Sequence, residues 1–217
     1  MKKGFTLAEV LITLGIIGVV AALTLPSLIA NYQKKQTVVK LKRFYTIMNQ
    51  AIRLSEIDNG PAEDWIYPVL NDDYTSMRVF YDRYFANYIV STKVKSCRLP
   101  ETTVDWVCIY YFDGTAALMR NSNGIDILFY PNAKYINQNF SFNGRHRFAF
   151  NFNKANTGVS KIQQYQIEPY THQWDGTRAG LIFHSGYGCR KGAYTIGNFC
   201  AKLIQYDGWE IKDDYPW

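Results

Sequence analysis

Acidic residues are nearly absent from the first quarter of the chain. Between Val10 and Gln33 there is no formal charge of either sign. Between Lys34 and Arg53 there are six cations (Lys34, Lys35, Lys40, Lys42, Arg43, Arg53) and no acid. The net charge of +6 and the pI near 9.0 therefore describe this stretch. From residue 54 onward 16 basic residues face 17 acidic ones, which removes any electrostatic reason to expect nucleic-acid binding. Histidine is also scarce. His146, His172 and His184 are the only three, none lies in an H-E-x-x-H pattern, and neither G-x-S-x-G nor a P-loop occurs. Among the four cysteines, neither close pair has the two-to-four-residue gap of usual zinc ligands. A catalytic centre, a resident metal and a cofactor are thus not expected, and the chain reads as a non-enzyme. A hydrophobic content of 47% and an aromatic content of 16% argue against disorder of the chain as a whole.

What is present starts with the uncharged run. Its 24 residues would reach about 36 Å as a helix, against a bilayer core roughly 30 Å thick. Lys2 and Lys3 precede it and Lys34 and Lys35 follow, so flanking charge specifies orientation only weakly. A secretory signal peptide with a small-residue site near Ala21 and Ala22, or an ordinary transmembrane anchor, suits the run but leaves Glu9 unexplained. An ionised carboxylate in hydrocarbon is costly unless it meets a partner, which makes this acid a functional candidate. Snorkelling to the headgroups is the plainer alternative. Gly15 and Gly18 permit close helix approach. Pro26 removes one helical hydrogen bond and predicts a kink or a locally melted segment near residues 22–26.

The stretch GFTLAEVLITLGIIGVVAALTLPSL resembles the N-terminal signature of type IV prepilins and of the pseudopilins of type II secretion systems. A basic leader, MKKG, ends in glycine, phenylalanine follows, and glutamate stands fifth after the cut, before an apolar helix. Pro26 falls where such helices often carry a proline. The resemblance covers about the first 30 residues. It implies cleavage by a prepilin peptidase between Gly4 and Phe5, N-methylation of Phe5, and docking of the Glu9 carboxylate on the Phe5 amine of a neighbouring subunit. Such a pair fixes register more than it stabilises. The implied partners are other pilin or pseudopilin subunits, the peptidase, an inner-membrane assembly platform, and membrane lipid around the precursor. The implied location is the bacterial inner membrane, single-pass, followed by a periplasmic or extracellular filament.

Past the run, Val38, Val39, Leu41, Phe44, Tyr45, Ile47, Met48, Ala51, Ile52 and Leu54 recur mostly at three and four, which continues the helix with one apolar face. Asn59-Gly60-Pro61 ends it. A second helix is expected over about 73–89, capped by Asp72 or Asp73. From Thr103 the period changes to short β-rich runs separated by Asp113-Gly114 and Asn123-Gly124 turns, and Phe148, Phe150 and Phe152 alternate onto one face. About four antiparallel strands are expected, their apolar face covering the exported half of the first helix. KIQQYQI and GLIFH read as short strands or loops, and FCAKLIQYDGWE as a short helix capped at Asn198. The fold expected is α+β and pilin-like: a long transmembrane-plus-amphipathic helix packed on an antiparallel sheet. Residues 1–4 would be a leader, 5–57 the helix, and 58–217 the globular head.

If the head is exported, Cys97, Cys108, Cys189 and Cys200 are disulfide candidates. Of the three possible connectivities the two local pairings are preferred, and a Cys189–Cys200 loop resembles the disulfide-bounded loop of pilins. Four buried thiols in a reducing compartment is the other reading. Asp207, Glu210, Asp213 and Asp214 cluster near the end but do not match a calcium loop. The function expected is a structural subunit of a type IV pilus or type II secretion pseudopilus. The rivals are a minor tip pilin that binds a ligand, and an exported enzyme with a conventional signal.

Overall fold

The computed structural model describes residues 6–69, 71, 73–122, 124–139, 144–152, 165–191 and 196–217. Gly4, Phe5, Asp72, Asn123 and the first four residues of KIQQYQI lie outside the described residues. The chain divides into two units, Met1–Gln36 and Thr37–Trp217. Helix α1, Leu7–Asn59, contributes to both.

Over residues 10–29 of the first unit α1 carries apolar side chains on every side. Leu11, Ile12, Ile16 and Ile17 are all more than 60% exposed, and the helix is long and apolar enough to cross a membrane. The helix continues unbroken through residues 22–26, so the melted segment allowed by Pro26 does not occur. Hydroxyls flank the proline: Thr24 Oγ1 donates to Val20 O and Ser27 Oγ to Thr24 O, each at 2.9 Å.

In the second unit the predicted apolar face of α1 is inside. Leu41, Phe44, Met48, Ala51 and Ile52 are buried, whereas Val39 and Leu54 face out. Helix α2, Tyr74–Tyr84, starts at Asp73, whose carboxylate accepts from the backbone N–H groups of Thr75 and Ser76. It ends five residues before the expected limit. Phe85 and Ala86 both donate to Tyr81 O, and this turn lays Phe85 and Ile89 into the core.

The sheet has six antiparallel strands in sequence order: β1 Lys93–Arg98, β2 Asp105–Tyr110, β3 Ala116–Asn121, β4 Ile125–Tyr130, β5 Phe148–Phe152 and β6 Ile167–Pro169. The two beyond the expected four are its edges. β1 reads KVKSCR, too polar to announce itself as a strand, and is held by six register pairs with β2. Exposed lysines suit an edge because they discourage further pairing. β6 is three residues long, below what periodicity can detect.

Alternation sorts the strands into two faces. Val107, Ile109, Met119, Ile127, Phe129, Phe148, Phe150 and Phe152 join the main core with α1 and α2. Phe44 of α1 stacks on Phe129 at 4.4 Å and meets Phe150 edge-on at 5.2 Å. Trp106, Cys108, Leu118, Tyr130 and Ile136 form a smaller cluster on the other face. Polar contacts add register: Asn49 donates from Nδ2 to Ile167 O and accepts at Oδ1 from Ile167 N, both at 2.9 Å, so its amide completes the edge of β6. Two short helices finish the chain, α3 Arg178–Phe183 and α4 Cys200–Tyr206. GLIFH is thus helical, because Thr177 caps it by accepting from Gly180 N. Phe199, not Asn198, holds the N-cap position of α4.

Candidate assembly site

Helix α1 begins one residue after Thr6, and the sequence there is T-L-A-E. Glu9 Oε2 accepts from Thr6 N and from Thr6 Oγ1, each at 2.8 Å, and Glu9 N donates back to Thr6 Oγ1 at 3.3 Å. This is a reciprocal capping box, in which the first and fourth residues satisfy each other's backbone donors. Docking and snorkelling are the two explanations expected for Glu9, and the structure adds a third: the carboxylate closes the free N-terminal end of its own helix. The signal was legible as Ser/Thr-x-x-Glu/Gln before an apolar run, and the reading of Glu9 as an isolated acid overlooked it. Both Thr6 donors converge on one oxygen, and no described residue donates to Oε1. The side chain is exposed, so the second oxygen is available to a cation from outside the chain.

A Cβ placed on Gly15 or Gly18 would meet nothing within 4 Å, so the described chain does not itself use the close approach that they allow. Thr13 Oγ1 folds back onto the carbonyls of Glu9 and Val10 and leaves this part of the helix with no free hydroxyl donor.

In the head, Cys97 is joined to Cys108 and Cys189 to Cys200, with Cα atoms 5.9 and 4.8 Å apart. The first bridge links β1 to β2, and the second ties the glycine-rich segment after α3 to the first turn of α4. Packing explains the glycine at 144: a Cβ there, at a φ of +121°, would sit 2.5 Å from Cys200 Sγ.

The acidic end of the chain is organised by one arginine that sequence reading missed. Arg178, at the start of α3, donates from Nε and Nη2 to Asp207 and from Nη1 and Nη2 to Asp214, at 2.7–2.9 Å. Lys212 adds a contact to Asp207 at 3.2 Å. These cations hold both carboxyls below the usual aspartate range and use the oxygens a calcium ion would need. Among the described residues no group of three or more His, Cys, Asp or Glu is placed to hold a metal.

Comparison with known proteins divides the chain in a similar way. Residues 27–217 match a family described as Family of unknown function (DUF6613). Residues 1–25 match the prokaryotic N-terminal methylation motif, the signature of type IV pilin and pseudopilin precursors. No curated protein and no solved structure gives a match.

Proposed function

The chain belongs to the Family of unknown function (DUF6613) and carries the N-terminal methylation motif, and from these premises we propose that it is a structural subunit of a type IV pilus or a type II secretion pseudopilus. In this reading residues 1–4 are a leader removed between Gly4 and Phe5, and Phe5 is N-methylated. The apolar half of α1 anchors the precursor in the inner membrane, and the head faces outward. Other pilin-like subunits, a prepilin peptidase and an assembly platform are its partners. The observation that carries the reading is a single coincidence: the methylation motif, residues 1–25, takes in the start of a helix whose first part is uncharged and exposed on all sides but for one carboxylate, Glu9. Outside a membrane such a surface has to be covered by other helices, and a filament core supplies them. The new α-amine stays cationic after methylation and suits Glu9 Oε1.

Intact mass and N-terminal sequencing of the mature chain test this. A start at N-methylated Phe5 is expected. A start beyond residue 20 would instead mark a conventional signal and would remove the filament assignment.

A further inference from the structure

A cleft of about 460 Å³ opens on the head beside α1. Lys40, Arg43 and Leu54 line it from the helix, and Val90 and Phe112 from the loops opposite. Leu54, Val90 and Phe112 are 49%, 78% and 74% exposed, an apolar lining of the kind that marks an interaction surface. At one end Lys40 donates to Pro131 O at 2.8 Å, and Arg43 stands 3.4 Å from Asp113. Two cations against one carboxylate leave the cleft net positive.

Further along the same helix face the character inverts. Ile57 and Asp58 continue the stripe of Arg43, Ile47, Gln50 and Leu54 at spacings of three and four. Ile57, Ile66 and Val69 are 77%, 67% and 90% exposed. Asp58, Glu63 and Asp64 are exposed among them, and no cation occurs between Leu54 and Val69. The head therefore carries a positive apolar cleft and a negative apolar ridge. On α1 the cleft lining runs from Lys40 to Leu54, and the ridge begins at Ile57, one turn further on, and continues past the helix end at Asn59. A rigid helix cannot fold one onto the other, whereas a second copy displaced along the helix axis brings them together.

We propose that the cleft receives the 57–69 ridge of a second copy of this chain, so that heads stack head to tail. The contact is heterologous, with different surfaces on the two sides, and such contacts propagate into open assemblies. Opposed charges set its register, and the apolar residues supply the buried area. The inference rests on the filament reading and names the surfaces that reading leaves open.

The test uses the full-length chain in assembled filaments, with p-benzoylphenylalanine in place of Phe112. After illumination, mass mapping should find the crosslink within residues 57–69 of a second copy. The double reversal Glu63→Lys with Asp64→Lys, at exposed sites outside the core, should lower the crosslinked fraction at least about tenfold. Adding Lys40→Glu and Arg43→Glu should restore it. Filaments that form but crosslink elsewhere, or to a different protein, overturn the proposal and leave the filament reading intact. Failure of the reversed set to recover also overturns it, provided that the reversed chain keeps the wild-type thermal transition. A wild-type chain that forms no filaments overturns both.

Discussion

At the scale of single residues Glu9 carries two separable roles. As the fourth residue of a capping box it satisfies the Thr6 backbone N–H, a task glutamine performs equally well. As an anion it can pair with a neighbour's amine, a task that glutamine performs poorly because the interaction is ionic. Glu9→Gln and Glu9→Ala therefore distinguish the two. If docking dominates, both variants insert in the membrane but fail to enter filaments, as read by filament yield in sheared fractions. If capping dominates, Glu9→Gln assembles like wild type and only Glu9→Ala is impaired, by an amount in line with a lost cap of about 1 kcal/mol.

At the scale of elements, the head is a sheet with α1 and α2 on its main core face and a terminal α3–α4 pair held by the Cys189–Cys200 bridge and by Arg178. Asn49 completes the backbone of β6, and Tyr45 donates to Glu168 at 2.7 Å. Burial and that carboxylate push the Tyr45 hydroxyl well above the usual tyrosine range, so it stays a donor. Arg178 ties α3 to α4 and to the tail. Its partner Asp207 is 3% exposed in its side chain, while Arg178 is 29% exposed. Arg178→Gln should cost about 2 kcal/mol at neutral pH, the scale of charged hydrogen bonds, measured by denaturant unfolding. The pH dependence has a definite sign. The folded-state value of Asp207 is depressed, so its contribution is present above the ordinary aspartate value near 3.8 and fades as pH falls through the lower folded value. The difference between wild type and Arg178→Gln should therefore be constant from pH 5 to 7 and shrink below about pH 4.

At the scale of the whole molecule, the two units solve different burial problems. Every residue of the main buried cluster, from Leu41 to Tyr215, lies in Thr37–Trp217, so that unit holds its own core. The large apolar residues described in the first unit, from Leu7 to Ile29, stay exposed in the isolated chain and need lipid or other subunits. A chain starting at Thr37 should therefore be soluble without detergent and unfold in one cooperative transition by circular dichroism. A head that precipitates or melts without cooperativity would show that its core is incomplete.

What the sequence by itself determined was whatever has a one-dimensional signature. An uncharged run of spanning length, the glycine-phenylalanine-glutamate register, the three-and-four stripe on α1 and the alternation through Phe148, Phe150 and Phe152 were all legible, and with them the α+β class. The tertiary structure decided what depends on partners far away in the chain. β1 is a strand because β2 and a disulfide hold it, since its own composition is that of a polar loop. β6 is a strand because β5 and the amide of Asn49 complete its bonds. GLIFH turns helical once Thr177 caps it, and Arg178 gathers two aspartates 29 and 36 residues away. Periodicity records burial along one element, but pairing, capping and ion contacts are set by which elements meet, and that is fixed only when the core closes.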